Sequence, residues 1–365
     1  MPDTSVTTRN VATYSAIPTL KVDAQSNSTV NSQLLAMHMR ESEGGLTSME
    51  LRFSNFGTFS NGTAKLVFED NSVLKLGAQV EVFAGDQTSP TSIFKGKISA
   101  LEGTYSPDNP PELTVLAEDP LYQARMKRRS KVYENVSPAD LVSRIAASNG
   151  LSPQTNGLTG NSSTHVQFNE SDLAFLRRIL ARYDGDFQVV GNQLQAGERS
   201  SIQRNQIELS IGEKLKRARV LADLSHQVTK IEFSGWNFPQ GQVASATVSS
   251  GIPGPGSGTA GTQIFKNAFG DRAEQLSHLS VRDSSEAQAL ANAEWKQRSR
   301  KFVTLHGTSE GNPALRVGTH VNVKGLGARF SNTYYVVATA HRYDQEHGYE
   351  TDFIAECAYL GGGAS

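Results

Sequence analysis

The sequence contains one segment with the spacing of a dinucleotide-binding loop. The run Gly256-Ser257-Gly258-Thr259-Ala260-Gly261 satisfies the pattern G-x-G-x-x-G. In a dinucleotide site these glycines follow a strand and open a helix, so that the helix N-terminus faces the pyrophosphate. Here they lie in a stretch rich in proline and glycine, with neither a strand nor a helix predicted beside them. We therefore predict a loop or linker at 251–258 and no nucleotide site.

Two other segments contain residue types that bind metals. The run Asp184-Gly185-Asp186-Phe187-Gln188 begins like a calcium loop, but Val189 stands where the sharp turn of such a loop requires glycine. A helix-terminating turn is the better interpretation. His341 and His347 are the closest pair of histidines, and their spacing does not place two imidazoles on one helix face. We predict His341 at a strand end, His347 in the turn before Gly348, and no metal site.

Nucleophiles and paired acids are equally poorly placed for catalysis. The sequence has no G-x-S-x-G elbow, and its single cysteine, Cys357, is predicted to be a small core residue. The carboxylate pairs Glu69-Asp70 and Glu118-Asp119 are adjacent, which places their side chains on opposite faces of a strand. The sequence therefore predicts no catalytic, cofactor-binding or metal-binding residues, no cofactor, and a protein that is not an enzyme.

The charge of the chain gives little support to nucleic-acid binding. The 365 residues include 35 Lys and Arg against 36 Asp and Glu, a formal net charge of −1. The one dense basic run is 127–131, with Arg125 upstream. It could contact phosphate, but the neutral balance elsewhere favours a solvated or subunit-facing strip. We predict no stable nucleic-acid binding and, because no apolar run approaches about 18 residues, no membrane insertion.

Most of the elements that must position these residues are predicted to be strands. Period-two alternation of polar and apolar residues runs from Ser48 to Ser54 and recurs along the first third of the chain. Residues from about 17 to 119 thus form one antiparallel β domain. The further strands that we predict there are 79–82, 93–98 and 112–117, with a turn at 106–111.

Three helices interrupt this pattern. Ser137-Pro138 begins the first helix, which Asn149-Gly150 ends. The second begins near Asn169 and ends at Asp184-Gly185, and the third spans roughly 285–300. A short hairpin, 187–190 with 193–195, follows the second helix. Two further strands are predicted at 207–209 and 228–233. Strands at 302–305, 320–323, 334–341 and 351–355 close the C-terminal third.

The chain also contains a short internal sequence similarity. The segments 76–82 and 317–323 share the frame Gly-x-x-Val-x-Val. Seven positions are too few to separate a duplicated domain from two unrelated strands with a common pattern. Both interpretations remain open at this point.

Several motifs in series resemble a known family. They include Phe94-Lys95-Gly96-Lys97-Ile98, the helix-opening Phe168-Asn169-Glu170-Ser171-Asp172, and Gly348-Tyr349-Glu350-Thr351-Asp352-Phe353 near the C-terminus. In order and spacing these resemble the phage late control D family of tail baseplate hub proteins. The sequence is also similar to the N-terminal hub half of type VI secretion spike (VgrG) proteins. The resemblance spans roughly residues 20–358.

The resemblance implies a mainly β fold with an α+β insertion, in which two similar β-barrel tube domains and a helix-containing domain assemble as a ring-shaped trimer. The boundaries that we predict are 1–16 for an N-terminal extension, 17–120 for the first barrel, 121–200 for the helical domain, 201–236 with 301–358 for the second barrel, 237–300 for an insertion, and 359–365 for a flexible tail. Three chains with two barrels each would present six quasi-equivalent units to a hexameric tube.

The function implied is that of a structural hub in a phage tail baseplate or a related contractile injection system. The expected partners are a second and third copy in a homotrimer, a separate trimeric spike protein, the inner tail tube protein, the tape measure and other baseplate proteins. The expected location is the virion tail or an extracellular injection particle, assembled in the bacterial cytoplasm. The alternatives are a peptidoglycan-hydrolysing or carbohydrate-binding tail component and, third, a carrier of effectors with 361–365 as the attachment point.

Overall fold

The computed structural model describes residues 14–58, 62–86, 88–237, 240–251, 254–277 and 281–361. The predicted N-terminal extension therefore lies outside the described residues except for 14–16. Residues 252–253 of the Gly/Pro loop and 362–365 of the predicted tail also lie outside them.

The first third of the chain is antiparallel β structure, as predicted. Period-two alternation places Met49, Leu51 and Phe53 in the core, while the residues between them face away. The turn predicted at 106–111 is shorter, because Asn109 already pairs with Ser106. The elements are β1 (Tyr14–Val22), β2 (Gln25–Ser26), α1 (Ser28–Ser32), β3 (Leu34–Ser42), β4 (Ser48–Ser54), β5 (Phe56–Thr58), β6 (Ala64–Leu66), β7 (Gln79–Asp86), β8 (Thr91–Ser106) and β9 (Asn109–Glu118).

The next segment contains the two predicted helices, each capped by a serine. The Ser137 hydroxyl accepts the Asp140 backbone N–H at 3.1 Å, and the Ser171 hydroxyl accepts that of Ala174 at 3.2 Å. The elements are α2 (Tyr122–Met126), β10 (Arg128–Val136), α3 (Pro138–Ser148), β11 (Ser152–Asn156), β12 (Ser163–Ser171), α4 (Asp172–Ala181), β13 (Gly185–Val190) and β14 (Gln193–Glu198), followed by a 3-10 turn at Arg199–Ser201.

The last segment differs from the prediction at two places. Lys230–Asn237, assigned in part to the second barrel, pairs instead with the two strands of the insertion, and Tyr359–Leu360 of the predicted tail is a strand. The elements are β15 (Asn205–Ser210), β16 (Leu215–Ala222), β17 (Lys230–Asn237), β18 (Gln242–Val248), β19 (Thr259–Ala260), α5 (Gly261–Phe269), β20 (Ala273–Leu276), α6 (Ser284–Arg300), β21 (Val303–Glu310), β22 (Thr319–Lys324), α7 (Gly327–Phe330), β23 (Asn332–Asp344), β24 (Gly348–Cys357) and β25 (Tyr359–Leu360).

A single thirteen-stranded sheet joins the two halves of the chain. Its order is β16-β21-β24-β23-β3-β4-β9-β8-β7-β1-β2, and β15 and β22 branch from β23. The long strand β23 makes the connection, because one edge pairs with β22 over Asn332–Tyr335 and with β3 over Ala338–Asp344. The hairpin β23–β24 therefore belongs to both halves of the sheet.

Neither of the two predicted β-barrel domains is a closed barrel among the described residues. Among the described residues the hydrogen-bonded path runs from β16 to β2 without closing on itself. The mainly β class is confirmed, and the two halves share one continuous sheet that covers two cores. The physical reason is the length of β23, whose 13 residues exceed the mean strand of about 5–6 residues and reach across both halves.

Four hydrophobic cores lie in succession along the fold. The first lies among strands of the first third, includes Phe53, and is completed by Tyr343 and Tyr349 of the β23–β24 hairpin. The second packs α3 and α4 on the strands around them. The third lies beneath β15, β16 and β21 to β24 and includes Phe353. The fourth packs α6, through Trp295, against β17 and β18.

The two segments of the internal sequence similarity have the same local structure. Gly77 and Gly318 precede β7 and β22 with φ angles of +83° and +84°, in the left-handed region that favours glycine. The Gly77 N–H donates to Ile98 O and the Gly318 N–H to Val336 O, each at 2.9 Å and each on the following long strand. This shared turn geometry supports duplication over coincidence.

Candidate functional surface

The solvent-facing side of the large sheet carries mostly polar residues, with Leu116, Leu221 and Ile354 among its apolar ones. In β3, Met37 and Met39 enter the core, which places His38 and Arg40 on the opposite face. Strand pairing carries this face across the molecule. One row of paired residues on it is Arg217, Thr308, Asp352, Ala340, Arg40, Ser48, Glu118, Lys97 and Gln79, running from β16 to β7. We call the side of the sheet that carries this row the polar face.

Both signs of charge alternate on the polar face. Arg342 Nε lies 2.8 Å from Asp352 Oδ2, and the Thr308 hydroxyl donates to Asp352 Oδ1 at 2.6 Å. Farther along, Arg52 pairs with Glu112 at 3.2 Å. Compensated charges of this kind present hydrogen-bonding groups without a strong field of one sign.

A groove of about 810 Å³ lies on this face where the two halves of the sheet meet. Arg40, Arg219, His306 and Ile354 are among the residues that line it. Its two carboxylates are both engaged, Asp352 as above and Glu41 by Arg316. A glycosidase needs two acids held across a sugar. The groove as described supplies no such free pair.

A largely buried ionic cluster brings together residues from segments that adjoin all four cores. Arg199 is only 5% exposed, and its Nε lies 2.8 Å from Glu43 Oε1 while its Nη2 lies 2.9 Å from Glu356 Oε2. The Arg199 guanidinium also lies 4.1 Å from the centroid of the Tyr335 ring. Arg300, at the end of α6, contacts Asp184. We call Glu43, Asp184, Asp186, Arg199, Arg204, Arg300 and Glu356 the junction cluster.

Burial sets the protonation of the junction cluster. It raises the pKa of Glu43 to about 8 and that of Asp184 to about 7, and it also raises the pKa of Asp186. The four carboxyl groups of the cluster outnumber its three guanidiniums. At least one carboxyl therefore keeps a proton near neutral pH, because an uncompensated buried carboxylate is costly.

The acidic turn 184–186 supplies two members of this cluster. Helix α4 ends at Ala181, and Asp184 follows with a φ angle of +52°, so the predicted helix-terminating turn is confirmed. Asp186 Oδ1 accepts the Gly44 N–H at 2.6 Å, which ties the helical segment to the first core. The two carboxylates of the calcium-like spacing thus face guanidiniums and a backbone N–H.

The G-x-G-x-x-G segment is better ordered than predicted. Residues 259–260 form β19 and Gly261 opens α5, so a strand and a helix do flank the glycines. The Gly261 N–H, however, donates to Ala358 O at 3.0 Å, and a Cβ at this position would lie 2.4 Å from Phe302. Asn332 holds the loop through Ser257 N and O at 3.1 and 2.9 Å. These glycines serve close packing.

Cys357 and His347 lie where the sequence places them, whereas Glu69 and Asp70 lie outside the described strands and His341 lies within β23, which continues to Asp344. Cys357 is buried in the third core, which raises the pKa of its thiol to about 11. His347 lies in the turn before Gly348 and contacts Asp344 at 3.0 Å. In the part of the chain that the structure describes, no three His, Cys, Asp or Glu side chains are grouped to hold a metal ion. No described helix is long and apolar enough to cross a membrane.

His341 lies in β23 and is fully buried, with its Nδ1 2.8 Å from the Tyr349 hydroxyl. Burial lowers its pKa to about 3 from an ordinary 6.5. The folded protein therefore binds fewer protons here than the unfolded chain, and this contribution to stability is lost as the pH falls from 6.5 towards 3.

We expect His341→Gln to flatten the acid side of the pH profile of the melting temperature, even if it lowers the maximum. The exposed His347→Gln is the control and should leave the profile unchanged. An acid limb that is equally steep in both variants would contradict the assignment.

Sequence reasoning missed two features of this surface. The first is strand β10, which begins within the basic run 127–131. The sequence did not predict it, because alternating apolar residues are few there and its partner β12 lies more than 30 residues away. The junction cluster was not predicted either. The spacing of Asp184 and Asp186 was its only sequence signal, and Arg199 lies in a stretch that looks solvated.

Comparison with solved structures identifies the fold. The chain is similar to a 43 kDa prophage MuSo2 tail protein from Shewanella oneidensis, with a TM-score of 0.70 at 13% identity over 93% of this chain and 97% of that chain. A Neisseria meningitidis tail protein gives 0.67 at 11% identity, over 93% and 96%. An Escherichia coli type VI secretion component, described as structurally similar to T4 bacteriophage tail proteins gp27 and gp5, gives 0.59 at 13%, over 95% and 79%.

At these low identities the comparison shows a shared fold only, which is the fold of phage tail and type VI secretion proteins. No curated protein matches the sequence. The narrower resemblance to late control D stays a prediction, because the family model that matches, over residues 56–345, is described as the Alg8 N-terminal domain. Since that match covers more than half of the 365 residues, the chain belongs to the Alg8 N-terminal domain family.

Proposed function

We propose that the protein is a non-enzymatic structural hub of a phage tail baseplate or a related contractile injection system. In this role a homotrimeric ring joins the hexameric inner tube to a separate trimeric spike. The observation that carries the proposal is the fold, which is shared with two tail proteins over more than nine-tenths of each chain.

The composition of the polar face suits a surface that lines the channel of such a ring. A wall that passes nucleic acid or protein cargo must be wetted without binding it. Paired charges such as Arg342 with Asp352 serve that need, while Arg40, Arg217 and Lys97 of the same row have no salt-bridge partner among the described residues. We propose that the polar face lines the lumen and that the opposite, apolar face forms the wall's own core.

Tube-like closure would then arise between chains. The two halves of the sheet share β23 and β24 and show the same turn at Gly77 and Gly318. Three copies would supply six related half-sheets, which matches a hexameric tube on one side and a three-fold spike on the other. The tape measure and other baseplate proteins are the remaining proposed partners, in a virion tail assembled in the bacterial cytoplasm.

The location of the protein in purified particles tests this proposal. We expect an affinity tag after residue 365, detected by gold labelling and electron microscopy, at the junction of tube and spike. The expected stoichiometry is three copies per particle by quantitative mass spectrometry. A tag on the sheath or fibres, or a copy number far from three, would contradict the hub role.

A further inference from the structure

Strands β10 and β12 form an isolated ribbon with an exposed apolar side. The two strands pair only with each other among the described residues. Tyr133 and Gln167 face the second core, whereas Val132, Val166 and Phe168 face solvent. Phe168 is 78% exposed. We call this surface the ribbon, and its unpaired edges and apolar side chains are features of a docking site.

Unpaired positive charge borders the ribbon. Lys127, Arg128 and Lys131 are exposed, and none of them belongs to a salt bridge within the described residues. Lys131 lies on the Tyr133 side of the ribbon, and the exposed Glu134, next to Tyr133 in sequence, is the one acidic residue of β10. Arg128 donates to Asn169 O at 3.1 Å, and the Lys131 ammonium lies 4.7 Å from the centroid of the Tyr133 ring. Neither contact neutralises the charge. A partner for the ribbon should therefore be acidic as well as apolar.

The same chain has a surface of that chemistry. The distal part of the β8–β9 hairpin, residues 102–110, is exposed on both faces of the strands. It carries Glu102 and Asp108, and residues 99–111 contain no Lys or Arg. Tyr105, 66% exposed, and two prolines supply apolar surface. We call residues 102–110 the arm.

The arm and the ribbon do not cover each other in one chain, since both are exposed in the same structure. From their opposite charges and matched apolar side chains, we propose that the arm of one copy docks on the ribbon of a second copy. The contact is heterologous, because two different surfaces meet, so repetition can close a ring. The inference rests on the self-association proposed above and names the surfaces that make it.

Charge exchange tests the contact. The ribbon variant is Lys127→Glu with Lys131→Glu, and the arm variant is Glu102→Lys with Asp108→Lys. Each should weaken self-association about tenfold or more, measured by analytical ultracentrifugation of the full chain. The combined fourfold variant restores opposite charges and should regain most of the affinity. Lys214→Glu with Arg329→Glu reverses two other exposed cations and is the matched control.

Each other outcome overturns the inference. A chain that stays monomeric at its highest soluble concentration has no such contact, although a hub that assembles only on the particle would survive that result. Association that ignores both charge reversals leaves the trimer in place but moves the interface elsewhere. Loss of binding to duplex DNA in the ribbon variant, without loss of self-association, would identify a phosphate-binding strip instead.

Discussion

Replacing Arg199 with Met is expected to lower the free energy of unfolding by about 3–5 kcal/mol, the usual cost of breaking a buried ion pair. The guanidinium contacts Glu43 and Glu356 and packs on Tyr335. Its removal leaves Glu43 without its cation and leaves Glu356 only the longer contact with Arg300, at 3.6 Å. Because these groups come from different parts of the fold, we expect the four cores to lose their cooperative melting as well.

Calorimetry of the variant measures both effects, as a lower melting temperature and a broader or split transition. The control is Arg52→Met, which breaks an exposed pair with Glu112 and should cost only about 0–1 kcal/mol. Arg199→Lys keeps the charge but loses the simultaneous contact with both carboxylates, so its loss of stability should lie between those of Arg199→Met and Arg52→Met. An Arg199→Met melt as sharp and as high as that of Arg52→Met would refute a joining role for the cluster.

Replacing Glu43 with Gln is expected to change how stability depends on pH. The pKa of Glu43 is raised to about 8 from an ordinary 4.5, so the folded state keeps a proton that the unfolded chain releases. Its contribution is therefore fully present below 4.5 and is lost as the pH rises to about 8. One such proton gives a slope of at most about 1.4 kcal/mol per pH unit.

The Gln side chain cannot ionise, so Glu43→Gln should be more stable than the wild type at pH 8 relative to pH 5. Urea unfolding at a series of pH values measures the difference. Asp184 titrates in the same direction and leaves a residual slope. Glu112→Gln, an exposed carboxyl, is the control. If the two variants show the same slope, Glu43 does not hold the proton.

Local signals predicted the elements well. Ser137 and Asn149 bound α3 as expected, and the alternation from Ser48 to Ser54 matches β4 residue for residue. These features depend on neighbours a few positions apart, which a sequence displays directly. The buried state of Cys357 followed from the same kind of reasoning.

Long-range pairing accounts for what was missed. Nothing local to β23 indicates that its edge changes partner from β22 to β3, yet this change fuses the two predicted barrels into one sheet. Arg199 is likewise ordinary in sequence and is buried only because Glu43 and Glu356 converge on it from distant strands. The tail-protein resemblance succeeded at the level of fold because it used the order of motifs along the whole chain.

The direction in which the polar face points is the central claim. Electron cryo-microscopy of the assembled tail at side-chain resolution measures it directly. We predict a three-fold ring at the tube–spike junction, with the row from Arg217 to Gln79 facing the lumen and the apolar face of the same strands buried within each chain. A ring in which that row packs against a neighbouring protein or faces the outer solvent, with another surface lining the channel, would contradict the proposal.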